Sequence, residues 1–220
     1  MSPRQAARGM PPSSGGRSRG SRPAGRDGVM AGMAELGLRR PVGVAPASYS
    51  AGAKWFHWIT AALLAIALPV GFVIQHIKDS DKTIFYTLHE SAGLTILLVA
   101  LARLAWRLRH PPPPLPAQVP RLLQRVAAAV HHSLYALLIL QPILGFVATN
   151  AWGFPLRGES AYLGFIDLPQ IMEKNEGLAE VLQTLHTIGG WAILVLLVLH
   201  VAGVVFHQAI RRDGTLLRMI

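Results

Sequence analysis

The stretch Leu185 to Arg212, LHTIGGWAILVLLVLHVAGVVFHQAIRR, reads as one long apolar helix. It carries a histidine near each end of its apolar part, His186 and His200, fourteen residues apart. At 1.5 Å rise and about 100° per residue, that spacing covers roughly 21 Å and stops about 40° short of four turns. Both imidazoles therefore project from nearly one face, at two depths. Histidine is rare in hydrocarbon and marks a functional site there by default. Two stacked histidines need two partners on other helices.

The rest of the chain has the same character. Of 220 residues, 51% are hydrophobic, and the length suits a single domain. There is no cysteine, which excludes disulfides, zinc–thiolate sites, iron–sulfur clusters and covalently attached c-type haem. Three further apolar spans precede the fourth, which runs from about Val181 to Ile210. They run from about Trp55 to Gln75, Phe85 to Trp106 and Val126 to Asn150. Each is near the ~20 residues that cross a bilayer core. Pro69 and Pro142 fall inside spans, where neighbouring helices can satisfy the freed carbonyls. The fold class predicted is an all-α membrane protein, a bundle of four transmembrane helices.

The formal net charge of +10 raises nucleic acid as a partner, but its distribution argues against it. Residues 1–46 hold eight Arg against Asp27 and Glu35. This arm is rich in Gly, Pro, Ser and Arg and cannot bury enough apolar surface to offset ordering entropy. It is expected to be disordered, with Met30 and Met33 as candidate alternative starts, and residues 47–220 form the transmembrane domain. The 103–125 linker carries five Arg and the C-terminus three, whereas the other two loops hold only Lys78, Lys82, Arg157 and Lys174. The positive-inside rule places both termini in the cytoplasm. Pro111 to Pro114 reads as a stiff connector, and the Ala151–Glu180 segment as a short cap lying on the outer surface.

Depth sorts the span histidines. His57 opens the first span on the inner side, and His200 lies toward the inner end of the fourth. His89 and His186 each open a span from outside. The expected pairs are His57 with His200 and His89 with His186. Two imidazoles facing each other inside a helical bundle suit the axial positions of a haem iron. A flat macrocycle needs small residues beside its ligands. Gly93, Gly190 and Ala61 stand four residues after His89, His186 and His57, and Gly203 three after His200. Ile193 and Leu197 would separate the two macrocycles. A copper or zinc site would want three or four ligands at one depth, with a carboxylate such as Glu90 nearby.

These residues resemble the bacterial cytochrome b561 family of four-helix di-haem membrane proteins. The resemblance is carried by Lys54-Trp-Phe-His57-Trp58, by Leu88-His89-Glu-Ser-Ala-Gly93, and by His131-His-Ser-Leu-Tyr135 with Gln141-Pro142-Ile-Leu-Gly145. Leu185-His186-Thr-Ile-Gly-Gly190, His200 and the ending Asp213-Gly-Thr-Leu-Leu-Arg-Met219 complete it. It covers about residues 48 to 220. It implies two haems b with His57, His89, His186 and His200 as axial ligands. His131 matches a family position and is a candidate for a haem propionate or quinone contact. Arg103 and Arg107, one turn apart, are candidates to pair with propionates through charge-assisted bonds. His76, His110, His132 and His207 read as interfacial or packing residues, and Trp55, Trp58, Trp106 and Trp152 as belt residues.

The function expected is electron transfer across the bacterial inner membrane. By resemblance, relatives pass electrons between the outer side and the ubiquinone pool, and some oxidise superoxide. Others serve as cytochrome b subunits of hydrogenases or dehydrogenases. The contrasting reading is a membrane protein without haem, carrying another metal or acting as a scaffold. Partners implied are the lipid bilayer and quinone. The outer loops pair four basic groups with eight acidic ones, which predicts slow capture of an anion such as superoxide.

Overall fold

The computed structural model describes residues 48–114, 119–154 and 156–220; the N-terminal arm of residues 1–46 lies outside them. Four long helices follow one another: α1 (Ala51–Val73), α2 (Asp79–Arg109), α3 (Arg121–Ala151) and α4 (Glu176–Val205). α1 ends in a 3-10 turn, Ile74–His76, and α4 widens into a π-turn, Phe206–Arg211. Local chemistry sets the ends. The Ser50 hydroxyl accepts from Ala53 N and the Asn175 side chain from Leu178 N, each capping free amides of a first turn. Arg107 and Arg109 occupy the last turn of α2, where the helix dipole favours positive charge, and Pro111 follows.

All four helices are long and apolar enough to cross a membrane. Their most apolar windows are only 11–28% buried within the protein. Leu98, Leu101, Val195 and Val198 point outward. A bundle that is apolar outside and thinly cored suits lipid as its solvent. The core proper is a cluster of Leu64, Ala67, Ala92, Ile96, Ala100, Leu138 and Ile193, in which three alanines let backbones approach closely. Each helix extends beyond its apolar run. α2, for instance, begins at Asp79 rather than near Phe85, because polar turns continue the helix out of hydrocarbon.

The residues from Ser48 into α1, the C-terminal tail and the α2–α3 connection share one face, here the termini face; the α1–α2 and α3–α4 connections share the loop face. Arg218 clasps the termini face together. It is 3% exposed and donates to the carbonyls of Pro113 and Pro114, both at 2.8 Å. Its own carbonyl accepts from Ser48 Oγ and Tyr49 N. Trp58 Nε1 donates to Met219 O and Lys54 Nζ to Ile220 O. The proline run thus supplies acceptors as well as stiffness.

The turn into this tail is built on Asp213, after Arg212 at φ +51°. Its carboxylate faces His207 Nδ1 at 2.6 Å and Arg211 Nε at 3.2 Å, and accepts from Thr215 Oγ1 and Thr215 N. Burial opposes its charge, but the bonds from Thr215 and His207 win and hold the carboxyl well below the usual carboxylate range. A depressed carboxylate stabilises fully above its unfolded pKa of about 3.9 and loses that contribution only as pH falls through the folded value. Asp213→Ala is expected to destabilise the tail by ~1.5–3 kcal/mol, the usual scale for hydrogen bonds to a charge. Limited proteolysis near neutral pH should cut the variant after α4 while the wild type stays protected. Equal protection would show that Arg218 holds the tail alone.

The α3–α4 segment is exposed over most of its length and pinned to the bundle at several points. It docks into the bundle, with Leu156 and Ala161 each 1% exposed and Asn150 fully buried. Polar anchors on the helices draw it in: Asn150 Oδ1 accepts from Ile171 N and Ser91 Oγ from Leu163 N.

Candidate functional site

The loop-face histidines come from α2 and α4. The rings of His89 and His186 lie 5.9 Å apart at 85°. His89 Nδ1 is 2.9 Å from Ala67 O, and His186 Nδ1 is 3.1 Å from Gln141 O. A carbonyl only accepts, so Nδ1 of each ring carries the proton and Nε2 keeps its lone pair. Each acceptor is followed one turn later by glycine, Ala67 by Gly71 and Gln141 by Gly145, with a proline between. The ring reaching the carbonyl passes over that next turn. A Cβ on Gly71 would lie 2.6 Å from His89 Cε1, and one on Gly145 3.0 Å from His186 Cε1. Gln141 also donates from Nε2 to His186 O at 2.7 Å, and its side chain lies directly against Gly189.

The termini-face histidines form a cluster. His57 of α1 and His200 of α4 are 6.2 Å apart at 64°, and His131 of α3 stands 5.1 Å from His200. Arg103 Nη2 lies 3.3 Å from His57 Nδ1. Arg103 and Arg107 both sit over the Tyr135 ring, at 5.1 and 5.6 Å. Ile193, 3% exposed, lies on α4 between the two histidine levels, within the apolar core. Three of the other histidines have local partners: His76 Nδ1 with Phe72 O, His110 stacked on Trp106, and His207 with Asp213.

These distances test whether a haem iron fits. Metal–imidazole bonds of about 2 Å on opposite sides of one ion put the ring centroids roughly 6 Å apart. The His89–His186 and His57–His200 separations match; the His131–His200 separation is shorter. Gly93 and Gly203 face open space, with no heavy atom within 4 Å of a Cβ placed there, and a Cβ on Gly190 would lie 3.9 Å from Gln141 Nε2. Among the described residues no three His, Cys, Asp or Glu converge as a cage for a bare metal ion. The loop-face pair fits a bis-imidazole iron in both spacing and tautomer. At the termini face the spacing fits, but the Arg103 contact does not. Guanidinium only donates, so His57 Nδ1 must accept, which leaves the proton on Nε2. Iron on His57 Nε2 and this contact exclude each other, so binding there requires Arg103 to turn away.

The seven site residues read from the sequence thus collect at two levels, His89 and His186 at one and His57, His131, His200, Arg103 and Arg107 at the other. Gly71, Gly145 and Gln141 were missed as site residues. Their signal was a proline and a glycine in the helix opposite each histidine, which means nothing until the helices are paired.

Fold and site together define a four-helix membrane protein that offers opposed imidazoles inside its bundle. A family profile described as prokaryotic cytochrome b561 matches residues 48–220, and the chain belongs to that family. It is similar to cytochrome b561 homolog 2 of Escherichia coli K12, 30% identical over 178 residues, which cover 80% of this chain and 92% of the relative. It is 27% identical over 169 residues to a probable superoxide oxidase, CybB, of Yersinia pestis, covering 74% and 90%. A cytochrome b562 of Cereibacter sphaeroides is 26% identical over 170 residues, covering 74% and 89%. The protein is accordingly a multi-pass membrane b-type cytochrome that binds haem b and transfers electrons.

Proposed function

We propose that the protein binds two haems b, one between His89 and His186 and one between His57 and His200. It would carry electrons from a donor at the loop face to the ubiquinone pool at the termini face. The observation that carries this reading is the loop-face pair, 5.9 Å apart with both Nδ1 protons committed to backbone carbonyls. Such bonds hold a ligating imidazole in one tautomer and orientation. Bound haem supplies the one-electron chemistry. The protein's own part is to hold the rings, exclude water with the Ile193 cluster, and place charge at the termini face. There Arg103 and Arg107, released from His57 and Tyr135, would meet propionate carboxylates, and His131 would border the same group or a quinone. Lys54, Arg107, Arg109, Arg121, Arg125 and Arg211 on that face support a cytoplasmic orientation in a bacterial inner membrane.

Haem stoichiometry and turnover test the reading together. The purified chain should bind two b-type haems, reduced by a loop-face donor and reoxidised by ubiquinone. One haem per chain, or a spectrum without b-type absorption, would sink it. Superoxide is the donor to try first, since the Yersinia pestis relative is a probable superoxide oxidase. The acidic excess of the loop-face segments repels an anion. Its capture should therefore fall well short of the diffusion limit and become faster as salt screens the repulsion. A near diffusion-limited rate that salt slows would contradict this charge argument.

A further inference from the structure

The segment between α3 and α4 folds back along α2. Its starting level is set by Thr149, two residues before α3 ends, whose hydroxyl donates to Glu90 Oε1 at 2.8 Å. α2 continues from Glu90 to Asp79, about 16 Å farther. The chain therefore leaves α3 well short of the end of its neighbour. It then goes deeper. Leu163 N donates to Ser91 Oγ at 2.9 Å, and Tyr162 OH pairs with Thr95 Oγ1 at 3.0 Å. Ser91 and Thr95 belong to the candidate span Ser80–Arg109. With that span centred in a hydrocarbon layer about 30 Å thick, Ser91 lies roughly 10 Å beneath the surface and Thr95 near the midplane.

The backbone chemistry agrees with that depth. Every N–H from Ala161 to Ile166 has a protein acceptor. Ala161 donates to Gly158 O, Gly164 to Ala161 O, Phe165 to Tyr162 O, and Tyr162 and Ile166 to each other's carbonyls; Leu163 has Ser91. Gly164, at φ +78°, makes the turn possible. Yet Leu163, Phe165 and Ile166 are exposed, Phe165 by 75%. A loop in water can leave amides to solvent and gains nothing by displaying three large apolar side chains. In lipid, irregular backbone persists only where its polar groups are satisfied within the protein, and apolar display is favourable.

We propose that residues 161–166 form a re-entrant tip whose Leu163, Phe165 and Ile166 side chains sit among the acyl chains of the loop-face leaflet. Arg157 and Asp167 bracket the tip. Arg157 Nε donates to Leu168 O, and Asp167 Oδ1 accepts from Gly158 N. They mark the headgroup level at which the segment enters and leaves. The bilayer is thus a structural partner of this connection, and neither a second copy nor a donor protein covers the tip.

The absence of native cysteine makes the test direct. Full-length protein carrying one nitroxide label, at Phe165→Cys, Leu98→Cys or Glu173→Cys, is placed in phosphatidylethanolamine–phosphatidylglycerol vesicles. Leu98 on α2 and Glu173 near the start of α4 are both exposed and serve as lipid and water references. Power saturation with oxygen and with a water-soluble nickel chelate reports depth. The expected oxygen-to-nickel ratio at 165 resembles that at 98 and exceeds that at 173 several-fold. A ratio at 165 equal to that at 173 would place the tip above the headgroups and overturn the proposal. A label shielded from both reagents would also overturn it, because protein would then cover the tip. An Ile166→Cys label repeats the reading on the neighbouring side chain, and retained helical content checks folding in each variant.

Discussion

With one haem held by each histidine pair, His186→Ala should halve the haem content of the purified protein, and His89→Ala should reproduce the same loss. His200→Ala and His57→Ala should also halve it, but remove the other haem. The expectation rests on the two ring pairs, 5.9 and 6.2 Å apart and drawn from different helices. Alanine would leave one imidazole of the pair without its partner and a cavity beside it. The cavity destabilises its surroundings in proportion to its volume. The Ile193 cluster lies between the two sites and confines that damage to one level. Redox titration distinguishes the outcomes, since each variant should lose one of two waves and retain the other. His131→Ala should keep both waves, because its ring stands closer to His200 than one iron between them allows. If His57→Ala and His186→Ala lose the same wave, the pairing is wrong. If His131→Ala loses a wave that His57→Ala keeps, the third helix supplies the ligand.

Gly71→Ala should weaken retention of the loop-face haem by ~10–100-fold, the usual cost of losing a partner that orients a metal-bound imidazole. The new Cβ would lie 2.6 Å from His89 Cε1 and 3.0 Å from Nδ1. Carbon atoms rest comfortably at about 3.5–4.0 Å, so the ring must move by roughly 1 Å. That shift breaks the 2.9 Å bond to Ala67 O and frees the tautomer. Gly145→Ala should act in the same direction but more weakly, since its nearest contact is 3.0 Å. Haem loss on dilution, followed by absorbance, measures both. Gly93→Leu makes the informative contrast. Its side chain would meet no protein atom near the Cβ, so haem loss there would report a macrocycle occupying that space. Unchanged haem retention in Gly71→Ala would show that the His89–Ala67 bond is dispensable.

Much of this protein was determined by order and depth alone. The four spans follow from hydropathy, and the number of crossings puts both ends on one face. Depth then sorts His57 with His200 and His89 with His186, because a residue's distance along a straight helix is its count times the rise. Rotation about each helix axis was not legible. In a soluble bundle an apolar stripe faces the core and a polar one faces water, so azimuth can be read from the pattern. In lipid both faces are apolar, and α4 exposes Val195 and Val198 while burying Ile193 with the same kind of side chain. Only the packed helices brought Ala67 O to His89 and Gln141 O to His186, with Gly71 and Gly145 giving room. The same is true of the Arg103–His57 contact, of Arg218 closing on Pro113 and Pro114, and of Tyr162 reaching Thr95. Each joins residues far apart in the chain through a polar group whose partner is chosen by azimuth, and azimuth is set by close packing between helices rather than by the hydropathy of any one of them.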